Sequence, residues 1–369
     1  YNIILLMNKI LAICTSPDKG GLELYFVKLV KYFYSKKFSI ISVCQLNSPI
    51  SKIIPSPIIF IKKLSFLNII YNAYSISKKI KKENINTIHV SWAKDLLLAV
   101  LIKVFSKTKI SIIYYRQMKI TRHKKDIYHR FIYKNIDRIL VITKQLESDC
   151  QNYLPVSNDK IIHLKYGIQT PEQKSDISDE ENIFDKLGLK KNLFTLGIFS
   201  RLEEQKGQHL VIEAINSISK KDIQLLIVGH CMNKDYLDQL ETMISKYVLE
   251  ERVSIIPFIE SPMDLMPLLD LVILPTYEET FGLVVAESML MGTPVIGSNA
   301  GGVPEIIEDQ VNGLLFEPKN YTSLKEKIIK LYESPELRKK LSYNAKMFAR
   351  DNYDYRRHFS NLENILNDL

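Results

Sequence analysis

Short apolar runs alternate with longer amphipathic segments through the first 170 residues, and this alternation constrains the fold more than any other feature. The runs are rich in isoleucine and valine, as buried strands are, and apolar positions in the intervening segments recur at helical spacing. The predicted strands are KILAICT (9–15), FSIISVC (38–44), IIFIK (58–62), TIHVS (87–91), ISIIYY (110–115), RILVIT (138–143) and IIHL (161–164). Such alternation predicts an α/β domain with a parallel sheet covered by helices on both faces.

A polar, charged segment at 167–192 interrupts the pattern and reads as a linker with a short helix. The alternation then resumes with six predicted strands, LFTLGIFS, IQLLIVG, VSIIPF, LVILP, PVIGS and GLLFE, and with helices from about 207, 233, 261, 281, 302 and 321. A chain of 369 residues suits two domains. We predict two doubly wound, Rossmann-like domains, 1–170 and 171–350 (171–192 being the linker), which face a central cleft and bind ligands beyond the carboxyl ends of their strands.

Cysteine usage and hydropathy exclude several classes of protein. The four cysteines lie far apart and form no C-x-x-C pair, so neither a zinc site nor a disulfide framework is predicted, and a reducing cytoplasm is favoured. Asn8 and Lys9 interrupt the apolar opening, which lacks the cleavage site of a signal peptide, and no later run approaches the length of a membrane span. We expect Met7 to open the first strand segment and residues 1–6 to be an upstream extension.

The charge is divided unequally along the chain. Residues 1–170 hold 28 Lys and Arg against 9 Asp and Glu, a balance of +19, whereas the remainder holds 22 against 32, a balance of −10. Lysine-rich codon usage would raise both halves alike. The first half is therefore expected to meet an anionic partner.

Two glycine-containing loops each follow the first strand of a predicted domain. In the second domain, Arg201 and Lys206 precede Gly207 at a helix start, where cations and free backbone N–H groups converge as in an anion site. In the first domain, Gly20 and Gly21 open a helix but do not form G-x-G-x-x-G, so no dinucleotide fingerprint is present. A tight turn explains a Gly pair equally well. Together the loops suggest that a phosphate group is held at the cleft.

Two glutamates, Glu279 and Glu287, have seven residues between them in an otherwise apolar segment. Glu278, Glu279 and Thr280 are compatible with a polar helix start. Glu287 has apolar neighbours, so its carboxylate requires either a ligand with hydroxyl groups or a structural Arg or Lys partner.

With these motifs the chain resembles the family 4 glycosyltransferases, which are retaining nucleotide-sugar transferases with the two-domain GT-B fold. The motifs are the Gly20–Gly21 pair, SRLEEQKG, EETFGLVVAE, GTPVIGSNAGGVPEII and NGLLFEP, which occur in order along nearly the whole chain. The resemblance implies that a hexose moves from a nucleotide-diphosphate sugar, with UDP or GDP as the expected carrier, by front-face substitution. It also implies that residues 351–369 form a helix that crosses back to the first domain.

The resemblance assigns roles to individual residues. It implies that Arg201 and Lys206 bind the donor diphosphate and that Glu279 accepts hydrogen bonds from the donor sugar. Glu287, about two turns further along the helix, would hold the ribose. The backbone N–H groups expected to reach the sugar and phosphate are those of Thr280, Phe281, Gly282 and Leu283, and the residues expected near the base are Gly229, Pro257 and Phe258.

Arg116 is expected to replace a histidine that many family members carry after the strand read here as ISIIYY. Arg201, Lys206, Glu279 and Arg116 are thus the predicted catalytic set. His123 is predicted to be solvated and His89 to be a satisfied core residue. The chain contains no Asp-x-Asp, so we predict that the enzyme requires neither a metal nor another cofactor.

Basic residues of the first domain cluster at 75–84, 103–109 and 116–138, the last with Tyr128, Phe131 and Tyr133 interleaved as in an interfacial helix. We predict that this surface meets an anionic membrane, and that the enzyme works on the inner face of the cytoplasmic membrane in surface-glycan synthesis, on a lipid-linked or lipopolysaccharide acceptor. Nucleic acid is the less favoured polyanion, since no nucleic-acid module is present. A nucleotide-sugar epimerase and an inactive membrane-bound scaffold are the alternative functions.

Overall fold

The computed structural model describes residues 9–171 and 180–369. The chain divides into two compact units, one formed by Tyr1–Gly167 with Tyr355–Leu369 and the other by Ile168–Asp354. The predicted boundaries lie after residues 170 and 350. Residues 1–6, expected to be an extension, and most of the first half of the 171–192 linker lie outside the described residues.

Within the described residues the strands are β1 Ile10–Cys14, β2 Ile40–Gln45, β3 Ile58–Ile61, β4 Thr87–Val90, β5 Ser111–Arg116, β6 Arg138–Val141, β7 Ile161–His163, β8 Phe194–Phe199, β9 Ile223–Val228, β10 Val253–Ile256, β11 Leu271–Leu274, β12 Val295–Ser298 and β13 Leu314–Phe316. The helices are α1 Gly21–Ser35, α2 Phe66–Glu83, α3 Leu96–Ser106, α4 Ile127–Lys134, α5 Lys144–Tyr153, α6 Glu180–Lys186, α7 Gln208–Ser217, α8 Lys234–Lys246, α9 Leu283–Met291, α10 Tyr321–Glu333, α11 Pro335–Asn352 and α12 Tyr355–Asn367.

The first unit is built on a seven-stranded parallel sheet in the order β3-β2-β1-β4-β5-β6-β7. All residues of β1 and β4 are buried, because helices cover both faces of a parallel sheet. The order reverses between β1 and β4, and in doubly wound sheets such a switch point opens a crevice at the carboxyl ends of the strands.

The helix α12 packs on the first unit. On its inner face, the His358 Nε2 atom lies 2.8 Å from the Tyr25 hydroxyl and its Nδ1 atom lies 2.6 Å from the carbonyl oxygen of Lys165. Phe359 stacks on Tyr32, with ring centroids 4.4 Å apart. The segment 351–369 is not one helix, because the Tyr353 carbonyl accepts the Ile168 N–H and the chain turns there before α12 begins.

The second unit contains a six-stranded parallel sheet in the order β10-β9-β8-β11-β12-β13. The strands agree with the sequence prediction to within two residues at each end, and the predicted α/β class with two Rossmann-like domains is confirmed. Two predicted helices are wrong. The segment from 261 forms only the 3₁₀ turns Pro262–Asp264 and Met266–Leu268, because Pro267 cannot donate a helical hydrogen bond.

The helix expected from 302 is likewise a single 3₁₀ turn, Val303–Glu305. The Asn312 side chain takes over the following backbone groups, since its Oδ1 accepts the Glu308 N–H at 2.8 Å and its Nδ2 donates to the Ile306 carbonyl at 3.1 Å. These local bonds replace the pattern that a helix would need. As for the membrane, no described helix is both long and apolar enough to cross a bilayer.

Candidate functional site

The loops after β8 and β11 bring two of the predicted site residues together at the carboxyl end of the second sheet. The Lys206 Nζ atom donates to Glu279 Oε2 at 2.8 Å, and the two side chains are only 18% and 22% exposed. The second oxygen of the carboxylate, Oε1, accepts the Thr280 N–H at 3.1 Å. A half-shielded ion pair of this kind is held more firmly than a surface pair, because solvent screens it less.

Arg201 lies on the same loop as Lys206 and remains accessible. Its side chain is 57% exposed, and Nη1 lies 3.1 Å from Oε1 of Glu203. A guanidinium with this exposure can exchange its carboxylate partner for a phosphate, which it binds through two parallel hydrogen bonds. Glu203 was not among the predicted site residues.

Gly207 allows the Lys206 loop to press against the end of β11. The residue has φ +72°, and a Cβ atom there would lie 2.2 Å from the Pro275 carbonyl oxygen. The Tyr277 N–H donates to the Gln205 carbonyl at 2.9 Å, which ties the two loops directly. Only glycine meets both requirements, so the backbone fixes the distance between the basic loop and the acidic one.

Gly301 holds the backbone of Glu279 from the other side. It has φ +57°, and a Cβ atom there would lie 1.9 Å from the Glu279 carbonyl oxygen. That carbonyl accepts the Gly302 N–H at 2.9 Å. The glycine pair is visible in the sequence as part of SNAGGVPE, but only the fold shows that it contacts the backbone of Glu279.

The helix α9 starts later than expected. Gly282, with φ +94°, is its N-cap, so Thr280 is not a cap and Glu279 lies in a loop before Leu283. Phe281 is buried with its ring against Tyr353, the centroids being 5.4 Å apart.

Glu287 is half-buried on α9, one turn after the helix start at Leu283. The separation of Glu279 and Glu287 is therefore not two helical turns, as predicted, but a loop followed by one turn. The predicted ribose role of Glu287 stays a prediction.

The residues predicted near the base follow β9 and β10. Gly229 fits under the Ser200 carbonyl, where a Cβ atom would lie 1.9 Å from the oxygen. Pro257 and Phe258 are exposed, and Phe258 stacks on His230 with ring centroids 4.7 Å apart. His230 was not predicted, and its stacked pair offers a flat aromatic edge at this end of the sheet.

At the carboxyl end of the first sheet, the glycine loop is occupied by a carboxylate. The Gly20 N–H donates to Glu23 Oε2 at 2.8 Å, and Glu23 is buried. Beside it, fully buried Asp95 accepts the Thr15 N–H at 2.9 Å and the Thr15 hydroxyl. Burial raises the pKa of Asp95 to about 7, although the two Thr15 bonds oppose the shift. This environment disfavours the phosphate contact expected at Gly20 and Gly21.

Arg116 ends β5 and is only 3% exposed. Its Nη1 donates to the Tyr114 hydroxyl at 3.1 Å and its Nη2 to the Lys119 carbonyl at 3.0 Å. These bonds occupy two of the guanidinium nitrogens, whereas the buried Nε atom has no hydrogen-bond partner among the described residues, so the substrate contact predicted for Arg116 stays a prediction. The next residue, Gln117, has a buried Nε2 atom without a hydrogen-bond partner among the described residues. The buried hydroxyl of Ser91, which follows β4, lacks a partner there as well.

The two predicted non-catalytic histidines differ from each other. His123 is exposed, as predicted, and its ring lies against Tyr153. His89 is buried, but neither ring nitrogen has a hydrogen-bond partner among the described residues, so the predicted satisfied state is wrong. Burial lowers the pKa of His89 to about 3, which keeps the ring neutral.

The basic surface of the first unit is presented by α2 and α4. On α2 a shallow groove is lined by Tyr71, Tyr74, Ser75, Lys78, Lys79 and Lys82. On α4, Ile127 is 87% exposed and Tyr128 and Phe131 about half exposed. Tyr133, by contrast, is buried, so it is wrongly placed among the interfacial aromatics. The helix in the segment predicted to be interfacial, 116–138, is shorter than that segment, since α4 spans Ile127–Lys134.

The chain is similar to known proteins over both units. Residues 179–348 match the family model for glycosyl transferases group 1. An uncharacterized glycosyltransferase of Methanocaldococcus jannaschii is 27% identical over 90% of this chain and 91% of its own length. The capsular polysaccharide biosynthesis glycosyltransferase CapM of Staphylococcus aureus is 25% identical over 62% of this chain and 61% of its own.

Among solved structures, HepE of Anabaena in complex with UDP superposes with a TM-score of 0.87, at 22% identity, over 98% of this chain and 100% of that one. This likeness shows the fold. The chain therefore has the GT-B fold, and its second unit is similar to the glycosyl transferases of group 1.

Proposed function

We propose that the protein is a retaining, metal-independent glycosyltransferase that moves a hexose from a nucleotide-diphosphate sugar to a membrane-associated or anionic glycan acceptor. The Lys206–Glu279 ion pair, next to the start of α9, carries this proposal. It places a cation for phosphate and a carboxylate for sugar hydroxyls within 2.8 Å of each other. In a sugar diphosphate the phosphate and the sugar hydroxyls are adjacent, so one ligand could contact both side chains.

On the donor, Lys206 and Arg201 would neutralise the diphosphate, and the α9 start at Leu283 would add backbone N–H groups. Glu279 would accept hydrogen bonds from the sugar, and Glu287, one turn into α9, from the ribose. UDP is the nucleotide in the HepE complex, which favours a uridine donor here.

The chemistry that follows is a substitution at the anomeric carbon with retention. The bond from that carbon to the leaving phosphate oxygen breaks, a bond to the acceptor oxygen forms on the same face, and the acceptor proton passes to the leaving phosphate. Lys206 would stabilise the charge that develops on this phosphate. Glu279 is tied to Lys206 and to the Thr280 N–H, so it is assigned no role as nucleophile.

The acceptor would be recognised by the first unit. At the carboxyl ends of β4 and β5, the buried Ser91 hydroxyl and the Gln117 amide lack partners within the described residues. Buried polar groups are rarely left unpaired in proteins, so these two are suited to the hydroxyls of a sugar.

The lysines and exposed aromatics of α2 and α4 suit an anionic lipid headgroup layer. We therefore place the enzyme on the inner face of the cytoplasmic membrane, in the synthesis of a bacterial surface glycan, without a nucleic-acid partner. The similarity to CapM, a capsular polysaccharide enzyme, agrees with this role.

Incubation with UDP- and GDP-sugars, with and without membrane extract and with and without a chelator, tests the proposal by the release of nucleoside diphosphate. NMR of the product gives the anomeric configuration. Release that requires the extract and survives chelation is expected, whereas a second sugar nucleotide formed without an acceptor would indicate an epimerase. Lys206→Ala should abolish release, and Lys190→Ala, in the exposed Lys190–Glu251 pair of the same unit, should not.

Sedimentation with anionic vesicles tests the membrane surface separately. The triple change of Lys78, Lys79 and Lys82 to Gln should release the protein at a salt concentration that wild type tolerates. The matched triple change of exposed lysines in the second unit, at Lys246, Lys339 and Lys340, should have no effect. No sedimentation of the wild type at low salt would refute membrane binding but leave the transferase intact.

A further inference from the structure

Four side chains form a continuous hydrogen-bonded chain behind the two loops of the donor site. Gln208 Nε2 donates to the Arg201 carbonyl at 2.8 Å and to the Ser200 hydroxyl at 2.9 Å. The Tyr236 hydroxyl donates to Gln208 Oε1 at 3.1 Å. His209 then bridges Tyr236 and Tyr277, at 2.8 Å from Nδ1 and 2.7 Å from Nε2.

The direction of each bond follows from its neighbours. The Arg201 carbonyl can only accept, so the Gln208 amide nitrogen must face it and the Gln208 oxygen must face Tyr236. Tyr236 has one proton, which it gives to Gln208, so His209 must donate to Tyr236 from Nδ1. The Nε2 atom is then left with a lone pair, which accepts the Tyr277 hydroxyl proton.

The chain thus joins the carbonyl of Arg201 to Tyr277, two residues before Glu279. Gln208 is fully buried and His209 half-buried, so the relay is not a surface contact. None of its members was singled out from the sequence, because the four residues come from three separate segments. The glutamine and histidine directly follow the Lys206–Gly207 turn at the start of α7.

We propose that His209, as the neutral Nδ1–H tautomer, is a positioning residue that locks the Arg201 loop to the Tyr277–Glu279 loop in the geometry that binds the donor diphosphate. The inference rests on the proposed function and assigns His209 no contact with the substrate. Its effect is expected on donor affinity rather than on the chemical step, because it fixes loops without touching the reacting atoms.

Protonation of His209 would reverse the last bond of the chain. Nε2 would then carry a proton, and the Tyr277 hydroxyl would have to turn its own proton away. Burial lowers the pKa of His209, while Glu204 and Glu213 act against that shift. Tyr236 and Tyr277 face the ring, and the Lys319 Nζ atom lies 4.8 Å from the centre of the Tyr277 ring. The protonated ring would also place a charge in a half-buried site between the two loops, which disfavours the locked arrangement. Donor affinity should therefore fall as the pH drops below the usual histidine range.

Steady-state kinetics with Tyr277→Phe and His209→Asn test the relay. Phenylalanine keeps the ring beside Lys319 and removes only the hydroxyl. Each variant should raise the donor KM by about 5- to 10-fold, as expected for one lost hydrogen bond, with kcat nearly unchanged. The double variant should be no worse than the single ones, because one interaction is lost in all three. The acid fall in affinity should disappear in His209→Asn.

Tyr332→Phe is the matched control, since Tyr332 bonds Asp222 in the same unit and is not part of the relay. It should bind the donor as wild type does. Two results would overturn the relay but not the proposed function, provided that the wild type binds the donor. One is additive KM effects in the double variant, and the other is an unchanged KM and pH profile in His209→Asn and Tyr277→Phe. Failure of the wild type to bind any sugar nucleotide would overturn the proposed function together with it.

Discussion

The two parallel sheets have similar topology, but the loops at their carboxyl ends carry side chains of opposite charge. In each unit a glycine-containing loop follows the central strand, β1 or β8. In the first unit the loop is filled by the Glu23 carboxylate and lies beside buried Asp95. In the second it carries Arg201 and Lys206. The fold alone therefore does not make an anion site, and the diphosphate site that we propose lies in the second unit.

The largest effect is expected from Asp95 in the first unit, on the pH dependence of the free energy of unfolding. Its folded pKa of about 7 lies above the usual 3.8, so the folded state holds the proton more tightly. Asp95 therefore contributes about 4 kcal/mol to the free energy of unfolding below pH 3.8, and this contribution is lost as the pH rises to 7. Asp95→Asn mimics the protonated acid, so wild type should lose stability relative to this variant over that range. Urea unfolding at several pH values measures the difference, and a constant difference would contradict a protonatable Asp95.

Lys206→Ala should weaken nucleotide binding by about 100-fold, because a charge-assisted bond to phosphate contributes roughly 2–3 kcal/mol. Calorimetric titration with UDP and GDP measures the loss. Lys190→Ala removes a lysine from the exposed pair with Glu251 and should leave affinity unchanged. Equal losses in both variants would mean that only the net charge of the unit matters.

Gly301→Ala should lower nucleotide affinity by about tenfold, since the new Cβ atom meets the Glu279 carbonyl and must displace that loop. Gly188→Ala is the matched control. Gly188 also has positive φ, at +68°, but its Cβ would meet nothing closer than 3.4 Å. Both variants should lose some thermal stability, whereas only Gly301→Ala should lose affinity; a similar loss in Gly188→Ala would refute the contact at Glu279 as its cause.

Glu23→Gln should have the smallest effect. Glutamine can still accept the Gly20 N–H, so the change removes charge and keeps the bond, with a loss of about 0.5 kcal/mol in unfolding free energy. Nucleotide affinity should stay within about twofold, because no phosphate is assigned to this loop. Markedly tighter binding in this variant would return the diphosphate to Gly20 and Gly21.

The strands and the two-domain class could be predicted from the sequence because apolar runs and their spacing are local signals. The helices expected at 261 and 302 failed where Pro267 and the Asn312 side chain altered the local hydrogen bonds. The prolines and the asparagine are visible in the sequence, but an apolar pattern does not show which backbone groups their local bonds will occupy.

The candidate site was predictable only in part. Lys206 and Glu279 were both selected, yet their ion pair joins residues 73 positions apart and required the fold. The left-handed Gly282 delays α9, which a count of residues between the two glutamates does not reveal. The contact of Gly301 with Glu279 and the His209 relay are long-range as well, so no spacing in the sequence announces them.

A crystal structure with a bound nucleoside diphosphate sugar tests the central claim most directly. Phosphate oxygens within hydrogen-bond distance of Lys206 Nζ and of the first N–H groups of α9 are expected, with the ribose hydroxyls on Glu287. Phosphates held instead at Gly20 and Gly21 of the first unit, with Lys206 still paired only to Glu279, would contradict it.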